Sequence, residues 1–193
     1  MATTQQGTEQ NLVAKIWGIS VRKIVYMAIG AALYGVLSVP TNFLQLPGNI
    51  SIRPAIVIPL FFGAVFGPWV GLFSGAVGNF IGDLISGYGV FWNWDVGNGL
   101  IGFIAGLAMY ITWGNYKSTR SIVIAEVFAA IGVVVGIAVA AYSDIVVSTA
   151  TVRTATATFI SGILPDLILG LILLPILLVA YNAALRRSGR TSI

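Results

Sequence analysis

Apolar residues run along this chain in long stretches broken by short turn-rich intervals, with little of the polar alternation that marks surface helices or strands. The stretch from Ile24 to Ile52 carries no charged residue, and neither does the stretch from Pro54 to Gly82. A helix needs roughly 20 apolar residues to cross about 30 Å of hydrocarbon. Pro40, the Leu46-Pro47-Gly48-Asn49 turn, Gly67-Pro68, Gly87 and Gly89, the polar loop from Gly114 to Arg120 and the polar region from Ser143 to Thr158 interrupt the runs. Cutting there predicts six helices, over roughly 22–40, 53–67, 69–87, 95–113, 121–143 and 156–185. The second is short for a span and calls for little tilt or a locally thin membrane. The expected fold is an all-α integral membrane protein with six transmembrane helices, flanked by tails at 1–21 and 188–193.

Composition agrees, with 58% hydrophobic and only 8% charged residues, outside the usual range of soluble domains. With neither Cys nor His present, disulfides, thiolate chemistry, imidazole bases and Cys/His metal sites are excluded. There is no phosphate-cradling G-x-x-x-x-G-K-[ST] loop. No cofactor is called for. The polar start MATTQQGTEQ, followed by Lys15, Arg22 and Lys23 and then a full-length apolar segment, reads as a cytosolic tail and not a cleaved leader. The net charge of +4 comes from cations that flank the spans, so it marks topology and not a nucleic-acid surface.

Placing the N-terminus in the cytosol puts Lys15, Arg22, Lys23, Lys117, Arg120, Arg186, Arg187 and Arg190 inside and only Arg53 and Arg153 outside. That bias fits the positive-inside rule and places both termini in the cytosol. Asp83, Asp95 and Asp144 then approach the outer face, with Asp166 in the outer to middle part of the last helix. Glu126, near the cytosolic start of the fifth, is expected to pair with Lys117 or Arg120.

The candidate chemistry gathers at the external end. Asn79 and Asp83 are four residues apart, and Asp95 and Asn98 three, so each pair shares a helix face. Carboxylates within a bilayer cost on the order of 2.5–3.5 kcal/mol each at mid-span, which makes Asp83 and Asp166 markers of a polar cavity or of a partner. Trp92 and Trp94 suit an interfacial aromatic belt; equally, they suit a pocket in which indoles stack on a flat heterocycle while Asn93, Asp95 and Asn98 bond its edge. Arg53, with Asn42, Gln45 and Asn49 nearby, fits a lid over 41–52 or an anchor for the second helix. Small residues recur at intervals of four, as in Ala28 and Ala32, Gly71 and Gly75, Gly78 and Gly82, Gly102 and Gly106, Gly132 and Gly136. Most are expected to let the helices approach closely, while Ala28 and Ala32 also suit a partner's helix.

The order GAALYGVLS, then IRPAIVIPLFFGAVFGPWVGLFSGAVGNFIGDLISG, then FWNWDVGNGLIGFIAGL, resembles the substrate-binding S components of energy-coupling factor (ECF) vitamin transporters. The likeness is strongest to the riboflavin or hydroxymethylpyrimidine branch and covers about residues 22–110. It implies six helices, a vitamin bound near the outer face, and docking to a transmembrane T component driven by two cytosolic ATPases in a bacterial or archaeal cell membrane. It also implies a binding subunit and not an enzyme, with a docking motif on Ala28 and Ala32 and a two-tryptophan element on Trp92 and Trp94. In that branch a basic or imidazole group stands in the stretch filled here by Asn79-Phe80-Ile81-Gly82. The rival reading from the residues alone is a self-sufficient ion- or proton-coupled transporter or channel using Asp83 and Asp166; a third is an assembly subunit without a ligand.

Overall fold

The computed structural model describes residues 16–41, 44–46, 50–87 and 89–187. Among the described residues, a helical end at 16–17 is followed by seven α-helices and a small hairpin: α1 (Val21–Ser38), β1 (Leu44–Leu46), β2 (Ile50–Ile52), a 3-10 turn at Pro54–Ile56, α2 (Val57–Phe66), α3 (Pro68–Ser86), α4 (Trp92–Gly106), α5 (Met109–Thr112), α6 (Thr119–Val147) and α7 (Val152–Arg187). The six helices expected from the apolar runs are all present, the fourth being α4 extended by the single turn α5. The hairpin was not expected. It pairs Leu44 with Ile52 and Leu46 with Ile50 in antiparallel register, so part of the expected lid is a two-stranded ribbon.

Local chemistry sets the helix ends. Ser20 caps α1 and Ser118 caps α6, each side chain accepting a backbone N–H three residues on. Between α2 and α3, Gly67 at φ 110° makes a turn closed to side-chain-bearing residues, and Pro68 opens α3 with the φ a helix needs. Gly87, left-handed at φ 72°, ends α3.

Among the described residues, four segments have the length and hydropathy to cross a membrane: Val21–Ser38, Trp92–Thr112, Thr119–Val147 and Val152–Arg187. Helix α2 lies inside the protein instead of against lipid. Val57, Pro59, Leu60, Phe62, Gly63, Ala64 and Val65 are all buried, and α2 touches α1, α3, α4 and α7. A helix enclosed by other helices has no membrane thickness to match, so neither tilt nor thinning is needed to explain its length. Along α7, Thr158, Gly162, Asp166, Gly170, Leu174, Leu178 and Asn182 form the buried seam, while Ile160, Leu164, Ile168, Ile172 and Ile176 are more than half exposed on the opposite face. The four-residue spacing of the seam is what turns Asp166 inward.

Helices α1, α3, α4 and α6 pack in that order, with glycines wherever backbones meet. A Cβ on Gly78 would lie 2.8 Å from the Tyr34 side chain, one on Gly102 would lie 2.5 Å from the carbonyl carbon of Gly71, and one on Gly97 would lie 2.7 Å from the Gly136 carbonyl oxygen. The expected close approach is therefore made on both sides of α4. Ala28 and Ala32 are exposed on the outward face of α1 with Ile24, Val25, Ile29 and Val36, whereas Gly35 is buried against Ile81 of α3.

The basic end of the bundle is tied together by Tyr116. Its hydroxyl donates to the Ala64 carbonyl of α2, and its own carbonyl accepts from Asn182 of α7. Burial pushes this phenol, in the loop between α5 and α6, up to about 12 despite the opposing hydrogen bond with Thr112, so it stays a donor at any physiological pH. Trp17 packs edge-on against Trp69 and beside Phe103 and Tyr110, so the folded bundle includes residues upstream of α1. Glu126 does not make the expected pair with Lys117 or Arg120: its Oε1 is buried with no hydrogen-bond partner among the described residues.

Candidate substrate site

At the opposite end, polar side chains from five parts of the chain converge. Arg53 stands between β2 and the 3-10 turn, and its Nη1 donates to Asn79 Oδ1 of α3 at 3.0 Å. The Asn79 amide nitrogen donates to Asp95 Oδ1 of α4 at 2.9 Å and reaches Asp83 Oδ2, one turn along α3, at 3.5 Å. Asn79 is only 4% exposed, so one buried amide serves a guanidinium and two carboxylates together. Asn98, one turn beyond Asp95, donates to the Trp94 carbonyl and accepts from the Tyr34 hydroxyl of α1 at 2.6 Å. Tyr34 is fully buried within electrostatic reach of Arg53, Asp166, Asp83 and Asp95. Asp166, on the inner seam of α7, is 4% exposed and interacts with Arg53, yet accepts no hydrogen bond among the described residues.

Of the residues singled out in the sequence, Arg53, Asn79, Asp83, Asp95, Asn98 and Asp166 come together here. The tryptophan pair does not join them as a unit. Trp92 is 60% exposed. Asn93 and Trp94 turn toward α6, where Asn93 donates to Asp144 Oδ1 at 2.7 Å and the Trp94 indole to Asp144 Oδ2 at 3.3 Å. Asn93 also donates to the Ala140 carbonyl and the Ser143 hydroxyl at 3.1 Å each, and is buried to 1%. These contacts fasten the first turn of α4 to α6, while Asp95 and Asn98 on its other face reach α3 and α1. Asn42 lies outside the described residues.

Sequence reasoning missed two residues. Tyr34 belongs to a buried stripe of α1 with Met27, Gly30, Ala31 and Ser38; a polar-tipped aromatic in such a stripe needs a partner, and that was the available signal. Asp144 stood out as an external carboxylate, but its link to Asn93 spans 51 positions of sequence and no local pattern announces it.

On the side of α7 away from its buried seam, an open groove of about 470 Å³ runs between Ile52 and the α7 residues Ile160, Ser161, Leu164, Pro165, Ile168 and Leu169. Its walls are almost wholly apolar, and its ends adjoin Arg53 and Asp166 in sequence.

A buried polar knot inside an otherwise apolar helical bundle is what a membrane subunit that holds a water-soluble molecule needs. The sequence profile of the ECF-type riboflavin transporter S component matches residues 18–183, which include every described element except the last few residues of α7. The chain belongs to this family. As an ECF S component it is a membrane-embedded transporter subunit and not an enzyme, and membership implies work alongside T and ATPase modules as the substrate-binding part of an importer. Among its relatives, a UPF0397 protein of Aliivibrio fischeri is 34% identical over 130 residues, covering 65% of this chain and 71% of that protein. One of Aliivibrio salmonicida is 33% identical over 132 residues, covering 66% and 72%; one of Vibrio atlanticus is 33% identical over 129 residues, covering 65% and 71%. No solved structure matches this S component.

Proposed function

We propose that this chain captures a water-soluble vitamin or vitamin precursor, riboflavin or a thiamine-related pyrimidine, at the Arg53–Asn79–Asp95 end of the bundle and delivers it when docked to a T component and two cytosolic ATPases. The observation that carries the reading is the buried cluster itself: Arg53, Asn79, Asp83, Asp95 and Asp166, drawn from separate segments, meet in a chain with few charges to spare. In this reading the bundle crosses a bacterial or archaeal membrane six times, with both termini and the basic end in the cytosol and the cluster facing outward. Trp92, Asn93 and Trp94 border it.

Docking in this reading uses Ala28 and Ala32. Both are exposed, small and flanked by apolar side chains, so a partner helix can approach closely there. Delivery is by reorientation of the loaded subunit in the bilayer, which the low charge makes less costly. The alternative of a self-sufficient transporter using Asp83 and Asp166 predicts flux by the purified chain alone in liposomes.

The test is the melting point of the purified chain in detergent against a panel of vitamins and precursors, because a ligand that binds only the folded form raises it. A rise of several degrees with one heterocycle, abolished by Asn79→Leu, is the expected result. Flux by the isolated chain, with no compound stabilising it, would overturn the reading.

A further inference from the structure

The outward side of α7 carries a pattern that the polar cluster does not use. At 36 residues, α7 is about 54 Å long, more than the roughly 40–45 Å of a whole bilayer, so its ends stand among the headgroups. Arg153, Ala157, Ile160, Leu164 and Ile168 follow one another at steps of four, three, four and four and are all exposed, so they share one face of the helix. The last three line the groove whose far wall is Ile52. From Ile160 to Leu169 the groove follows about 14 Å of helix, close to half of the roughly 30 Å of hydrocarbon and hence one leaflet deep. Among the residues lining it, Ser161 alone has a polar side chain, and its hydroxyl already donates to the Ala157 carbonyl at 2.7 Å. The groove therefore offers its occupant apolar contact and no free donor, which suits a hydrocarbon chain.

Toward the start of α7 the same face changes character. Arg153 lies seven residues, or about 10 Å, before Ile160. It is exposed, and its guanidinium has no hydrogen-bond or ion-pair partner among the described residues. Thr154 beside it is exposed as well, and the small Ala157 is all that this face places between the cation and the groove. An unpaired cation at headgroup depth, above an apolar furrow one leaflet deep, matches an anionic amphiphile in both charge and length. We infer that this face of α7 binds an anionic phospholipid, its phosphate on Arg153 and one acyl chain laid between Ile52 and the row Ile160, Leu164 and Ile168. The site depends on the chain lying in a bilayer, as its family and apolar helices require, and not on which cargo it carries. Bound there, the lipid braces β2 against α7 from the side away from the seam that holds Asp166.

The chain has no cysteine, so a single substitution can carry a fluorophore. The full chain with Ile160→Cys, labelled with bimane, is reconstituted in dioleoylphosphatidylcholine vesicles. Quenching is then measured as phosphatidylglycerol or phosphatidylcholine with brominated chains is mixed in. Val134→Cys, on an exposed position of α6, is the control for unselective lipid contact, and the melting point of each labelled variant checks folding. The anionic lipid should quench Ile160→Cys at about one fifth of the mole fraction that the zwitterionic lipid needs, the factor expected of one cation near anionic headgroups. No such preference is expected at Val134→Cys, and none should remain at Ile160→Cys once Arg153→Gln is added. Equal quenching by the two lipids at Ile160→Cys, or a preference that survives Arg153→Gln, would overturn the inference. A label that neither lipid quenches, with unlabelled Ile160→Cys forming a disulfide-linked dimer, would overturn it too and give this face to a second copy of the chain.

Discussion

The junction of α3 and α4 offers the most direct test of how this bundle is held together. Gly102→Ala places a methyl group 2.5 Å from the carbonyl carbon and 2.9 Å from the Cα of Gly71, both backbone atoms that no rotamer change can move. Carbon atoms in ordinary contact lie at about 3.5–4.0 Å, so the two helices must part by roughly 1 Å. The neighbouring approaches of Gly75 to the Asn98 carbonyl and of Gly106 to Pro68 are lost with it. Overpacking of this kind costs about 1–3 kcal/mol, against a gain of up to about 1 kcal/mol from the better helix propensity of alanine. Because backbone atoms cannot rotate away, the upper end of that cost, about 2–3 kcal/mol, applies, and the net loss of about 1–2 kcal/mol corresponds to a fall of roughly 2–8 °C in melting point for a chain of this size, read from tryptophan fluorescence in detergent. Gly170→Ala is the internal comparison, since its new methyl group meets only the tip of the Leu60 side chain, 2.9 Å away, and that tip can rotate. Gly102→Ala melting at or above the parent, or less stable by no more than Gly170→Ala, would refute the view that backbone contact fixes α3 against α4.

Two further outcomes follow from the same contacts. Tyr34→Phe keeps the ring beside Gly78 but leaves the Oδ1 of the fully buried Asn98 without its 2.6 Å donor, a loss of about 1–2 kcal/mol; a melting curve superimposable on the parent's would show that the bond contributes nothing net. Ala32→Trp adds bulk on an exposed face of α1, so melting point and ligand affinity should hold while uptake by the assembled transporter falls severalfold or more; loss of affinity in the isolated chain would remove the docking role.

The apolar runs and their glycine and proline breaks announced the helices because a bilayer demands long uninterrupted spans and tolerates turns only between them. Hydropathy could not say that α2 is enclosed by protein, because lipid and helix neighbours select the same side chains and a helix apolar all round has no contrasting face. The four-residue spacings of glycine did foretell where backbones meet, at Gly71, Gly78, Gly102 and Gly136. Adjacency was the misleading signal. Trp92, Asn93, Trp94 and Asp95 are consecutive, but on a helix successive side chains diverge by about 100°, so one faces outward, two bond α6 and the fourth reaches α3. Residues three and four apart kept company instead, as Asn79 with Asp83 and Asp95 with Asn98. The roles of Tyr34 and Asp144 depend on partners 64 and 51 positions away, beyond any local pattern.

The glycine seams joining α1, α3, α4 and α6 also determine how the molecule responds to force. Glycines bring those four helices close, backbone against backbone between α3, α4 and α6 and glycine against the base of Tyr34 between α3 and α1, whereas α7 meets α2 at Gly170 only through the yielding tip of Leu60. Pulled from its carboxyl end out of a bilayer, the chain should surrender α7 first, in a separate low-force step that takes Asp166 away from the cluster. The four glycine-joined helices would then resist together and give way in one larger event, so the mechanical weak point of the subunit coincides with the wall of its own binding site.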